Sequence, residues 1–264
     1  MRARLRATML GGDRFLYRAA AEGVGDRLSA VTRRFTRGLW IGEAVPAEIA
    51  PFAKDWSAAD FDASEVLAAD GPFDLAVSLY SLQWINDLPG ALVQIGRLLK
   101  PDGLFMGALF GGATLNELRD AFAHGESATR GGISPRVSPF ADVRDLGSLL
   151  QRAGFALPVS DVERLVVRYR DFFGLVRDLR THGLTNVMAE RSRAVLRRDT
   201  LATLLAHYAS HHADADGKLR ATFETLYLTG WTPHESQQKP LSPGSAKSRL
   251  ADVLGTREHP VTES

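Results

Sequence analysis

The run FDLAVSL, Phe73 to Leu79, is apolar nearly throughout and bounded by turn residues, which predicts a strand buried on both faces of a parallel sheet. Behind it, Asp87 is placed to cap a helix and Pro89 to occupy its first turn, with Leu92, Ile95, Leu98 and Leu99 as the buried stripe. Pro101-Asp102-Gly103 turns the chain, and Leu104 to Phe110 is a further apolar strand, so the segment is a βαβ unit with an expected right-handed crossover. Ahead of this unit, Leu16, Ala19, Ala20, Val24, Leu28 and Val31 recur at helical spacing, with Asp13 as the predicted N-cap, and Gly38 to Glu43 reads as a short buried strand.

Beyond Phe110, Thr114 and Glu117 have the spacing of a capping box at the start of TLNELRDAFAHGE. GGISPRVSP, residues 131–139, is a loop; VRDLGSLLQRAGF is a helix stopped at Gly154; DVERLVVRYRD is a strand. Helices are predicted over DFFGLVRDLRTHG and DTLATLLAHYASH, and a last strand over ATFETLYLTGWTP, where threonines, aromatics and leucines concentrate. This alternation predicts an α/β, doubly wound, Rossmann-like architecture. Three parts are expected: an N-terminal helical segment (1–37), the α/β domain (38–233) and a polar C-terminal tail (234–264).

The first half of this pattern is short. A doubly wound half normally contains two βαβ units before its switch point, and between Gly42 and Pro72 there is room for about one. PAEIAPFAKDW is short and broken by proline, and SAADFDASEVLAAD can supply at most one more strand and a turn. The turn after the first strand is also unsuited to a nucleotide, because close backbone approach needs glycine at several positions. Here Gly42 is followed by Glu43, Ala44, Val45 and Pro46, which bring a negative charge and remove a backbone donor. Asp60 or Asp62 could serve as the acidic partner of a ribose, or be solvated loop aspartates.

Composition narrows the function classes. A chain of 264 residues, 45% hydrophobic and with a net charge of +1, is an ordinary globular protein without the field that gathers nucleic acid. The first dozen residues, MRARLRATMLGG, are basic without an acid and read as a frayed basic helix end or a targeting leader. The absence of cysteine excludes disulfides, thiolate metal sites and cysteine nucleophiles, and permits a cytoplasmic setting. No apolar run reaches the ~18 residues of a membrane span, so membrane contact would be peripheral.

From Pro72 to Phe105, PFDLAVSLYSLQWINDLPGALVQIGRLLKPDGLF resembles class I S-adenosylmethionine-dependent methyltransferases, among them the malonyl-carrier-protein methyltransferases of biotin synthesis. More specific are GGATLNELR, GGISPRVSPFADVRDLGSLLQRAGF, RDTL and GWTPHESQQKPLSPGSA, which with FLYRAAAEGVGDRLSAVTRRF resemble the complex I assembly factor 5 family over nearly the whole chain. That resemblance implies a methyltransferase fold, a role in assembling the proton-pumping NADH:quinone oxidoreductase, and hydroxylation of an arginine on a peripheral-arm subunit, with a location at or near the inner membrane. It implies S-adenosylmethionine as cofactor, while WIGEAVP stands where the family carries its glycine-rich motif, a degenerate site that leaves enzyme and pseudoenzyme both open.

Candidate site residues follow from position. Gly42, Glu43, Asp60, Asp62, Ser78 and Trp84 fall where an open α/β sheet places its ligand crevice, with Trp84 lining a pocket or packing in the core. Gln83 and Asp87 lie beside it as candidate catalytic groups, and Ser134 and Ser138 sit in a loop that is either a lid or a surface turn. In GWTPHESQQKP, His234 and Glu235 are candidate catalytic groups and Trp231, Ser236 and Gln237 candidate substrate or partner contacts; the alternative is that Trp231 packs and the rest pins the tail. HYASHHADAD offers His207 and His211 four apart with His212, Asp214 and Asp216 beyond, read as solvated residues, so no metal site is expected.

Overall fold

A computed structural model of the chain describes residues 13–189, 191–192 and 194–238. The basic start and the tail beyond Gln238 lie outside these residues. Two compact units are formed, one extending through Pro233 and one beginning at His234.

The first unit is built on six strands: β1 (Phe35–Ile41), β2 (Ala53–Ala59), β3 (Phe73–Leu79), β4 (Leu99–Phe110), β5 (Ala156–Tyr169) and β6 (Leu219–Trp231). Their order is β2-β1-β3-β4-β6-β5. The first four are parallel, and β6 runs antiparallel to β4 and β5. Among the described residues six α-helices accompany them: α1 (Phe15–Ser29), α2 (Leu88–Leu98), α3 (Asn116–Arg130), α4 (Val143–Arg152), α5 (Phe172–Thr181) and α6 (Arg198–His211). This is the expected α/β class with a shortened first half: β2 follows β1 after a connection whose only helix is a single 3₁₀ turn, Ala50–Phe52.

Side chains alternate across the strands, so each face gathers its own core. Leu39, Ile41, Ala76 and Phe105 pack with Leu92 and Ile95 of α2 and Leu146 and Leu150 of α4. Trp40, Leu75, Val77 and Met106 pack on the other face with Ala20, Val24 and Leu28 of α1 and with Ile49 of the short connection. A third cluster joins Phe110 and Phe223 to Leu118 of α3, Leu175 of α5 and Leu204 and Tyr208 of α6, so three helices gather where β4 ends and β6 begins.

Local signals are realised where their partners are local. Asp87 caps α2, accepting from the Gly90 amide at 2.9 Å, and Pro89 lies in the first turn. Asp13, the predicted cap of the leading helix, instead pairs with Arg18 at 3.0 Å, and Arg14 occupies the N-cap position. The Thr114–Glu117 capping box does not form either. Thr114 Oγ1 donates to the Glu224 carbonyl and accepts from the Glu224 amide, while the Glu117 carboxylate accepts from the Thr222 amide and hydroxyl. Both residues are drawn away from the helix end to β6, and Leu115 turns the chain with φ 57°. The predicted turn at Pro101-Asp102-Gly103 is a bulge within β4, held by Thr232, whose hydroxyl accepts from the Gly103 amide at 2.8 Å.

Candidate functional site

The carboxyl ends of β1, β3 and β4 meet at the edge where ligands bind in open α/β sheets. At the corner beyond β1 the first backbone amide is engaged within the sheet. Gly42 is buried and its amide donates to the Ala59 carbonyl at 2.9 Å, which carries the β1–β2 ladder one residue past the strand. Its φ of 154° and the approach of Trp40 Nε1 to within 2.9 Å of where a Cβ would stand both require glycine here. Glu43 is exposed. Asp60 and Asp62 are exposed loop residues whose carboxylates accept backbone amides: Asp60 from Phe61, and Asp62 from Ser64 and Val66 at 2.8 and 2.9 Å. Ser78 is completely buried, and its Oγ, like Trp40 Nε1, has no hydrogen-bond partner among the described residues.

Beyond β3 the chain bends at Tyr80, whose left-handed φ of 53° directs its ring against Phe110, stacked at 4.0 Å, and its hydroxyl to Thr225 Oγ1 at 2.7 Å. Burial raises the pKa of this phenol well above its ordinary value, so it remains neutral. Gln83 Oε1 accepts the Phe110 amide at 3.3 Å, fixing the Leu82–Trp84 turn to the end of β4. Asp87 is committed as a helix cap, and its own amide donates to Glu65. Glu65 also accepts from the amide and side chain of Asn86; these bonds, the backbone amides foremost, lower its carboxyl pKa. Asp87 thus caps α2 and is anchored to Glu65 through its amide.

Trp84 opens onto a cavity of about 1220 Å³. Its aromatic walls include Phe15, Phe122, Phe140 and Phe172; its charged lining includes Asp13, Asp178, Arg136, Arg177 and Arg180. Ser138 lines the same cavity, so the structure brings it together with Trp84, whereas Ser134 is bound elsewhere. The Ser134 amide and hydroxyl both donate to the Glu126 carboxylate, which is 1% exposed and also receives Arg136 Nε at 2.7 Å. Burial pushes the Glu126 carboxyl up, but the bonds from Ser134 and Arg136 outweigh it and hold the group below its usual range. A buried ion pair thus fastens the 131–139 loop to α3 and forms one wall of the cavity.

His182, at the end of α5, escapes a reading by sequence position. Its Nε2 accepts the Leu16 amide at 3.3 Å while Nδ1 donates to the Asp178 carbonyl at 2.9 Å, an arrangement that fixes the neutral tautomer. Phe15 meets the ring edge-on at 4.9 Å, and burial lowers the imidazole pKa. The wall built by α5 has one sequence signal, the aromatic pair Phe172-Phe173 directly after Asp171, which caps this helix.

Trp231 is not part of this site. It pairs with Leu104 at the amino end of β4, the opposite edge of the sheet, and packs against the core on the α1 face. In the second unit, His234 Nδ1 meets Ser236 Oγ at 2.7 Å, and the His234 amide donates to Gln237 Oε1 at 3.3 Å; Glu235 is exposed. These four residues form a local turn.

Comparison with known proteins agrees with this architecture. The family profile described as a methyltransferase domain matches residues 18–158. The chain is 44% identical over 184 residues to "Arginine-hydroxylase NDUFAF5, mitochondrial" of Danio rerio, an alignment covering 70% of this chain and 57% of that protein. It is 38% identical over 183 residues to a malonyl-[acyl-carrier protein] O-methyltransferase of Laribacter hongkongensis, covering 69% and 59%. The chain thus spans less than two thirds of the length of these curated relatives. Among solved structures, the YcgJ protein of Bacillus subtilis superposes with a TM-score of 0.51 at 12% identity over 82% of this chain and 99% of that one, a likeness of fold. With a matching profile over more than half of its length and a parallel sheet continued by an antiparallel strand pair, the chain belongs to the methyltransferase-domain family.

Proposed function

We propose that this protein supports assembly of NADH:quinone oxidoreductase by receiving an arginine-bearing segment of a peripheral-arm subunit, and that the arginine hydroxylation named in its relatives is the chemistry its cavity serves. The observation that carries this reading is the cavity lined by Trp84, Phe122, Phe140 and Phe172 together with Asp178, Asp13 being already paired with Arg18. An arginine side chain is an apolar stem ending in a planar cation, and aromatic faces with a nearby carboxylate suit both parts. Arg136 is neutralised by Glu126, and Arg177 and Arg180 also line the cavity beside Asp178. His234, Glu235, Ser236 and Gln237 are further candidate contacts for the partner.

The corner beyond β1 supports a degenerate cofactor site. A nucleotide-like ligand needs free amides and a close glycine backbone, and here the Gly42 amide is committed to Ala59, Glu43 follows, and no α-helix begins behind the turn. A second reading, an S-adenosylmethionine-dependent methyltransferase related to the malonyl-carrier-protein enzymes, draws support from the unpartnered Ser78 Oγ and Trp40 Nε1 near the strand ends.

Calorimetric titration with S-adenosylmethionine and S-adenosylhomocysteine, paired with thermal shift, separates the two readings. The expected result is no heat and no shift. Micromolar binding, about −8 kcal/mol, would overturn the degenerate site and favour the second reading. For the first, mass spectrometry of the peripheral-arm subunits from a strain lacking this protein, complemented with wild type or Trp84→Ala, should show the arginine modification only with wild type. Equal modification by both would remove the cavity from the reaction.

A further inference from the structure

Helices α3 and α6 pack in opposite directions and very closely. A Cβ on Gly125 would stand 3.0 Å from the Thr200 carbonyl oxygen and 3.2 Å from Leu204 Cβ, and at this end Thr129 Oγ1 and Thr200 Oγ1 are 2.7 Å apart. Toward the opposite end, about two and a half turns back along α3, Asp120 faces the end of α6. There His207 Nε2 and His212 Nε2 each lie 2.7 Å from Asp120 Oδ2. All three ligand-type atoms lie within 4.8 Å of one another.

His207 and His211 share a face of α6, as their four-residue spacing implies, and the helix ends at His211, so His212 leaves it with φ −124° and ψ 14°. That turn brings the His212 ring beside His207. His211 instead stacks on His207 at 4.1 Å, and His124 of α3 stacks on it at the same distance, so the His207 plane is fixed from two sides. Asp214 and Asp216, adjacent in sequence, are engaged by Arg168 and Lys218. Both histidines point their Nε2 atoms at the same Asp120 oxygen.

We propose that Asp120, His207 and His212 form a binding site for a divalent transition metal of the zinc, cobalt or nickel class, joining α3 to α6 on the outside of the helical layer. The donor set, two imidazoles and one carboxylate without sulfur, is that of borderline metals rather than of calcium or magnesium. Ligands at about 2.0–2.2 Å around a tetrahedral ion stand about 3.3 Å apart, so the N–O separations open by only about 0.6 Å to admit one, within the reach of side-chain rotation. Three protein ligands leave one position for water. None of the three residues lines the aromatic cavity, so the site is separate from the proposed arginine-binding chemistry.

The test uses the purified full chain stripped with EDTA, titrated with Zn²⁺ by calorimetry and with Co²⁺ by visible absorption. One equivalent should bind at micromolar affinity or tighter, with a tetrahedral-type Co²⁺ spectrum and a rise in Tm. Asp120→Asn, His207→Gln and His212→Gln should each weaken Zn²⁺ binding at least tenfold, and His211→Gln should leave it within about twofold. Circular dichroism of each variant separates lost ligation from lost fold, and the Co²⁺ spectrum of the wild type reports the ligand set without any substitution. Absence of stoichiometric binding, or binding unchanged by all three substitutions, would overturn the proposal.

Discussion

The Glu126 ion pair allows a quantitative test of how the cavity wall is held. Glu126 is 1% exposed and receives three hydrogen-bond donors, the Ser134 amide at 2.7 Å, the Ser134 hydroxyl and Arg136 Nε at 2.7 Å, while a terminal nitrogen of Arg136 approaches it at 2.7 Å as an ion pair. Glu126→Ala leaves a largely buried guanidinium without its counter-charge, and breaking such a pair from one side costs about 3–5 kcal/mol. Glu126→Gln keeps an acceptor of similar shape and loses charge assistance, about 1.5–3 kcal/mol. With a urea m-value of about 3 kcal/mol/M, the alanine variant should unfold at a midpoint about 1–1.7 M lower with m unchanged. Hydrogen exchange should quicken in residues 131–139 in both variants. The same group predicts an acid limb: because its folded pKa lies below the ordinary value of about 4.5, its stabilisation is complete above that pH and is lost as pH falls through the lowered pKa. Glu126→Gln should flatten this limb. A glutamine variant within about 0.5 kcal/mol of wild type, with unchanged loop protection, would refute the account of the pair as the fastening of the loop.

His182 has the opposite linkage. Its folded pKa is lowered, so the unfolded chain binds more protons, and stability should decline as pH falls below about 6.5. The groups facing it are Asp178 of its own helix and Asp13 and Arg14 before α1; melts from pH 8 to 5.5 should show the decline in wild type and less of it in His182→Asn, and an equal slope in both would reassign the titration. Trp231→Ala should lower Tm, by about 2 kcal/mol of stability for a half-buried ring, whereas His234→Ala, in a turn of its own, should not. Complementation of the assembly defect that the proposed function predicts for a strain lacking this protein then distinguishes partner contact from folding: full rescue by His234→Ala would remove that residue from the partner surface.

Legibility in the sequence followed the range of each interaction. The bounds of β3 and the capped start of α2 could be read because an apolar run and an Asp-x-x-Gly cap are complete within a few residues. The Thr114–Glu117 box has the same kind of signature, yet its hydroxyl and carboxylate take partners on β6, more than a hundred residues away, and no local pattern reports that competition. The shortened first half was visible as missing length. The aromatic cavity was legible only at Trp84 and Ser138, because α5, α3 and the residues before α1 meet there by tertiary packing. His207 and His211 share a helix face and stack, as their four-residue spacing implies, whereas the approach of His212 to Asp120 was not legible because it depends on where the helix ends and on packing against α3.

The short connection between β1 and β2 also bears on the order in which the molecule forms. Parallel strands are usually slow to find one another because a helix separates them, but Phe35 and Ala53 are only about twenty residues apart, whereas β4 must wait for partners on β6 well over a hundred residues downstream. The loop-closure entropy of the first pair is accordingly small, and the short connection is expected to give the chain an early nucleus on its N-terminal side. Pulse-labelled hydrogen exchange during refolding should protect amides of residues 35–59 ahead of those of 219–231; the reverse order would place the nucleus in the β5–β6 pair.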